Sequence, residues 1–359
     1  MKFGLFYLFS EFGDVPQARI FSEVLEEIDY GEELGFDSVW LPEHHFSVYG
    51  TLGNPMTFAS AIAQRTKKML IGTAVMVVPF QHPLRLAEDA ALVDALSGGR
   101  LLLGLGRGYQ VPEFDVLDIP QHASRAMFLE ALDIIIKAFT EDNFSHEGKF
   151  WKVRNATVFP KPVQKPHPPI YWAGISPATY EIAGRRGYNI LRGPNFTSIA
   201  AVEEAFDIYT KSLREHGHDL EQMDLPFSLK VYVAPTDEEA KAEIHHAVWF
   251  YHTLAKLLPG APGRPTPAGY EHYPRDPSFL GKLTPEQLWE ADVDVGSGTV
   301  FGSPERVLRQ LRYYMSRTRI NHWMLWFKIG GLEHKKVLRS MDLFTRYVMP
   351  ALRESEVPA

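Results

Sequence analysis

The chain contains no cysteine among its 359 residues. That absence removes disulfides, thiolate zinc sites, iron–sulfur clusters and cysteine nucleophiles together. Histidine, carboxylates, arginine, tyrosine, serine with a base, or a bound cofactor are left to carry any chemistry. Long apolar runs are missing too: nothing approaches the ~18 residues that would cross a bilayer, so no membrane span is expected. The N-terminus, MKFGLFYLFSEFGD, has one lysine and a brief apolar stretch, then reaches Glu11 and Asp14 without a small-residue cleavage site. It reads as a strand and not a signal peptide, and the expected compartment is the cytoplasm. A concentrated basic face is also lacking. The net charge is −7 with lysines and arginines scattered along the chain, which argues against nucleic acid and for a small-molecule partner.

What is present is globular: 45% hydrophobic and 23% charged residues, enough for one large α/β barrel or two ordinary domains. Aromatics reach 13%, with 23 Phe and 7 Trp, and suit the walls of an apolar pocket. Strand-like and helix-like segments alternate from the start, the pattern of βα units around a parallel sheet. Strands are expected at 2–8, 37–41, 69–77, 100–106, 169–174, 189–191, 228–235 and 323–327. Helices are expected at 18–34, 54–64, 83–96, 176–187, 198–216, 236–258 and 332–351, the first ended by Gly35. Eight strands predict a single α/β domain over 1–359, a (β/α)8 TIM barrel. Two segments stand outside the repeat. Residues 149–169 carry five prolines and read as an inserted hairpin and rigid arm, and the Pro/Gly-rich 259–285 reads as disordered or, preferably, a mobile lid over a site.

In such a barrel the site lies where strand C-terminal ends meet the following loops. Glu43, His44 and His45 follow the second strand. Arg107 follows the fourth among Gly104, Gly106 and Gly108, which would let backbone approach a ligand. It faces a ligand or pairs with Glu113 or Asp115. Ser176 and Pro177 open a helix whose free N–H groups suit a phosphate, although they would start that helix whether or not anything binds. Arg85, Glu88 and Asp89 read as helix-surface or inter-helix ion pairs. Contiguous Glu43, His44 and His45 diverge and cannot readily clasp one ion, so no metal site is expected. GLGRGYQ is neither a Walker loop nor a dinucleotide fingerprint.

With MKFGLF, GFDSVWLPEHHFSVYGTLGNP (35–55), IGTAVMVVPFQHPLRLAEDAALVDALSGGRLLLGLGRG (71–108) and VFGSPERVLRQLR (300–312) laid out, the chain resembles the bacterial luciferase-like flavin monooxygenases, the luciferase α subunit in particular. The resemblance implies a barrel that takes reduced FMN from a separate flavin reductase, uses dioxygen as co-substrate and oxygenates a small hydrophobic molecule. Carried over by position, His44 is the catalytic histidine and Arg107 the flavin-phosphate arginine. Ser176 and Thr179 are phosphate contacts, and Ala74 and Val75 match a cis-linked alanine pair beside the flavin ring. Gly106 stands where luciferase has a reactive cysteine and Ile175 where it has a glutamate. The pocket is therefore expected to be roomier or differently shaped, and light emission from a long aldehyde is in doubt. Glu43 and His45 are expected to support His44, the 259–285 segment to match a mobile loop, and the chain to form a homodimer. Two alternatives stay open: a deazaflavin-dependent dehydrogenase on the same barrel, and a non-catalytic partner subunit.

Overall fold

Short apolar runs separated by amphipathic stretches build a parallel sheet in this computed structural model, which describes residues 1–195, 197–291 and 298–354. In chain order the strands are β1 (Lys2–Phe6), β2 (Ser38–Leu41), β3 (Leu70–Thr73), β4 (Met76–Val77), β5 (Leu101–Gly106), β6 (Phe144–Glu147) and β7 (Lys152–Ala156). They continue as β8 (Ile170–Ala173), β9 (Asn189–Leu191), β10 (Pro226–Val233), β11 (Thr299–Gly302) and β12 (His322–Trp326). The sheet runs β11-β10-β12-β1-β2-β3-β5-β8-β9, with β4 beside β5. A parallel bridge between Arg192 and Phe227 joins the end of β9 to β10. Strands β1, β2, β3, β5, β8, β9, β10 and β12 thus close on themselves as the TIM barrel, helices packing outside. β2, β5, β10, β11 and β12 are buried along their whole lengths, as parallel strands covered on both faces must be.

Three elements depart from expectation. The strand expected over 69–77 is two, β3 and β4, separated at the cis Ala74–Val75 peptide. β11, absent from the eight-strand count, is a further strand along the C-terminal half of β10, from Lys230 opposite Thr299 to Val233 opposite Gly302. Its four residues are too few to show a period. The helix expected over 236–258 is Asp237–Glu243 followed by His245–Leu254. The His245 imidazole takes the Ala242 carbonyl at 2.9 Å, the acceptor that the His246 N–H would use in an unbroken helix. The expected hairpin is present as antiparallel β6 and β7, and it starts earlier than 149. Glu130, on the helix Ser124–Thr140, pins its turn by accepting from the N–H groups of Lys149, Phe150 and Trp151 at 2.9–3.1 Å.

The barrel floor is filled by Trp40 and Trp323, both fully buried. A Cβ on Gly72 would lie 2.2 Å from the Trp40 ring, so only glycine lets that indole cross the barrel. Polar atoms at this end form a closed chain. Trp40 Nε1 donates to Ser38 Oγ at 2.9 Å, which lies 2.7 Å from His322 Nε2; His322 Nδ1 meets Asp224 at 3.0 Å, and Tyr171 OH donates to Asp224 at 2.7 Å. Burial works to raise the Asp224 carboxyl, but the His322 hydrogen bond and charge, with Lys2 and Tyr171, hold it well below the usual carboxylate range.

Candidate active site

At the opposite end, the strand C-termini surround a chamber of roughly 1300 Å³, its open mouth included. Phe6, Leu8, Tyr49, Met324 and Trp326 give it apolar and aromatic walls. Glu43, His44, Ala74, Val75, Gly106, Arg107, Ser176 and Thr179 all line it. His45 is not among the lining residues.

The two imidazoles leave the end of β2 in different directions, as successive side chains of an extended segment do. His44 Nδ1 lies 3.1 Å from Glu113 Oε1, and the same oxygen accepts from the His45 backbone N–H at 2.9 Å. Gln110 Nε2 lies 3.0 Å from His44 Nδ1 as well, so a carboxylate and an amide meet at that nitrogen and together position the ring. Tyr49 and Tyr109 pack edge-on against the His44 ring at 5.0 and 5.8 Å. Burial pushes both phenols up, so they remain neutral. Glu43 serves the other imidazole: its Oε1 meets His45 Nε2 at 3.0 Å and its Oε2 accepts from the Val77 N–H at 2.7 Å, tying β2 to β4. Burial raises the Glu43 carboxyl, with His45 and Val77 working the other way, and the Glu43 hydrogen bond raises His45. Glu113, expected only as a partner for Arg107, is the residue that orients His44. Nothing in local spacing marks it, because the pairing spans 69 positions.

The second half of the site is cationic. Arg107 pairs with neither Glu113 nor Asp115; Asp115 binds Arg264 at 2.8 Å. Arg107 donates instead to the Gly269 carbonyl and lies 4.0 Å over the Tyr270 ring. Ser176 occupies the N-cap of Pro177–Arg186, but its hydroxyl makes no capping bond. It lies 3.0 Å from Thr179 Oγ1 and accepts from Arg125 Nη2 at 3.0 Å. Arg125, at the start of the helix Ser124–Thr140, gives no sequence signal of its own. Burial draws its guanidinium down, and the charge of Arg107 adds to that. Among the described residues neither arginine forms an ion pair, so two guanidiniums and two hydroxyls at a helix start make a ready anion site.

A Cβ on Gly104 would lie 1.8 Å from the Thr73 carbonyl oxygen, and one on Gly106 2.5 Å from Val75 Cγ2. Both make room for the 73–77 segment, and Gly106 itself lines the chamber. Val75 fills the space beside Gly106. The segment 259–285 folds over the anion side of the mouth: Tyr270 OH donates to the Gly108 carbonyl at 2.8 Å and lies 2.9 Å from Ser124 Oγ, and Tyr273 reaches the chamber wall. Away from the chamber, Glu23, Glu27 and His334 group closely enough for a metal. Lys328 Nζ already bonds both carboxylates at 2.9 Å, which makes this an ion-pair knot.

An apolar chamber at the C-terminal end of a TIM barrel, with a positioned histidine and a cradle suited to an anion, is the arrangement of an enzyme site. Residues 1–321 match the luciferase-like monooxygenase family, and the chain belongs to it. It is 27% identical over 364 residues to the flavin-dependent trigonelline monooxygenase, oxygenase component, of Acinetobacter baylyi, covering 99% of this chain and 97% of that protein. The alkanal monooxygenase alpha chain of the Kryptophanaron alfredi symbiont is 29% identical, covering 99% of each. The crystal structure of monooxygenase RslO1 from Streptomyces bottropensis superposes with a TM-score of 0.85 at 27% identity, over 98% of this chain and all of that one.

Proposed function

We propose that the protein is the oxygenase component of a two-component system, using reduced FMN from a separate reductase and dioxygen to oxygenate a small hydrophobic molecule. The observation that carries this reading is one chamber that joins the His44–Glu113 pair to the Arg107, Arg125, Ser176 and Thr179 cradle. The residues fit FMN: the cradle would hold its phosphate, and Ala74, Val75 and Gly106 would wall its ring. Bound reduced FMN supplies the electrons that activate dioxygen. The chain supplies the rest. His44, its ring held at Nδ1 by Glu113 and Gln110, offers Nε2 to take or return a proton. The aromatic walls keep water from the reacting centre, and the 259–285 segment is the lid that completes the enclosure. The "oxygenase component" in the name of the Acinetobacter relative supports a separate reductase. We place the protein in the cytoplasm as a homodimer. Support for the dimer comes from Leu92 and Leu96, one turn apart on the helix Pro83–Ser97 and 47% and 43% exposed.

The test is substrate-dependent oxygen incorporation with photoreduced FMN. His44→Ala is expected to lower turnover by about 10²- to 10⁴-fold; full activity in that variant removes His44 from the mechanism. Equilibrium titration with FMN and with deazaflavin decides between oxygenase and dehydrogenase. Tight deazaflavin binding with none of FMN overturns the proposal.

A further inference from the structure

Beyond the end of β9 and in the middle of β10, a polar cluster of a different kind borders the chamber, with Asn195 and Ser228 in the wall and Lys230 behind them. Lys230 is fully buried, and its ammonium lies 4.5, 4.8 and 4.9 Å from the ring centroids of Phe250, Tyr251 and Trp326. Among the described residues its one hydrogen-bond acceptor is Asn195 Oδ1 at 2.8 Å, and no carboxylate pairs with it. Lys230 Nζ donates to the Asn195 oxygen, which turns the Asn195 NH2 the other way. Glycines on both sides leave room for that amide. A Cβ on Gly298 would lie 3.1 Å from Asn195 Oδ1, and one on Gly193 3.2 Å from Asn195 Nδ2.

Asn195 and Ser228 both line the chamber. Ser228 Oγ receives the Trp326 Nε1 hydrogen at 2.7 Å and lies 3.4 Å from Asn195 Nδ2. With donors on its oxygen, the Ser228 hydroxyl keeps its own hydrogen to give. The chain Trp326, Ser228, Asn195, Lys230 therefore presents hydrogen-bond donors on an otherwise apolar and aromatic wall. Burial, with no counter-charge among the described residues, draws the Lys230 ammonium well below its ordinary range, a cost that a negative group placed beyond Asn195 would offset.

We infer that Asn195 and Ser228, backed by Lys230, form a subsite for the acyl oxygen of the substrate, a carbonyl or carboxylate on an otherwise apolar molecule. This deepens the monooxygenase reading and rests on it for the chamber's use. Lys230 is a positioning residue here: it acts by fixing which face of the Asn195 amide the chamber sees.

Decanoate, 2-decanone and decane serve as matched probes, titrated against the full chain beside a separate FMN titration. The wild-type protein is expected to bind at least one of the two oxygen-bearing probes about tenfold or more tighter than decane; the decanoate-to-decanone ratio tells whether the subsite favours an anion or a neutral carbonyl. Asn195→Asp keeps a partner for Lys230 while replacing the donor with an acceptor, and Lys230→Met frees the amide. Both are expected to abolish the preference over decane with FMN affinity unchanged. The inference is overturned if the wild type shows no such preference, if Asn195→Asp retains it, or if Asn195→Asp weakens FMN equally, since the amide then serves the cofactor. Loss of FMN binding by the wild type would sink the monooxygenase reading instead, leaving the acyl preference measurable by itself.

Discussion

The Glu113 carboxylate decides what His44 can do. By meeting Nδ1 and accepting from the next backbone N–H, it fixes the ring position beside Gln110. Glu113→Gln removes the negative charge that would support a protonated imidazole, so turnover is expected to fall by about 10²- to 10⁴-fold while FMN affinity stays the same. Steady-state turnover beside a flavin titration checks this. On the cationic side, Arg125→Met removes a charged donor from the Ser176–Thr179 cradle. It should weaken FMN binding by about 10- to 150-fold, the weight of ~1.5–3 kcal/mol for hydrogen bonds to charged groups. His44 and Ser176 were legible because strand ends and helix starts carry local signals, whereas Thr179 came only from the family resemblance. Glu113 and Arg125 were not, since each acquires its meaning from a partner tens of positions away. Of the two readings of Arg107, the pairing with its sequence neighbours Glu113 and Asp115 is the one the structure does not show: its contacts come from Gly269 and Tyr270.

Among elements, the repeating βα units could be read because buried parallel strands and amphipathic helices differ in both length and period. Junctions could not. The parting of β3 from β4 at a cis peptide, the four-residue β11, and a helix interrupted by its own histidine side chain leave no periodic trace. The 259–285 segment was recognisable by composition alone, yet its anchoring required the fold. Tyr270→Phe removes the bond to Gly108 and the contact with Ser124 while keeping the ring beneath Arg107. Cleavage within 259–285 by a limiting protease is expected to rise several-fold, on the order of the ~1 kcal/mol each such bond contributes. An unchanged cleavage rate would mean that the segment is held elsewhere.

For the molecule as a whole, the floor network ties stability to pH. Asp224 has its carboxyl depressed in the folded state, so its contribution is complete above the unfolded carboxylate range, near pH ~4, and is lost as pH falls through and below it. Asp224→Asn is expected to cost about 2 kcal/mol at neutral pH. The gap between variant and wild type should narrow on acidification, as denaturant melts at a series of pH values would show. Association is a second global property. Leu96→Glu, placed on the exposed apolar face of Pro83–Ser97, should halve the mass measured by light scattering if that face joins two copies.

The tryptophan-packed floor has a kinetic consequence. On the proposed function, a barrel stoppered at one end would give cofactor and organic substrate a common doorway, and traffic through a common doorway is sequential. Whichever molecule sits nearer the mouth must depart before the deeper one can follow. Because the anion cradle and the 259–285 segment both lie at that mouth, product escape and flavin exchange are expected to quicken together in any variant that loosens the segment. Two release rates that vary independently would point to a second exit through the wall.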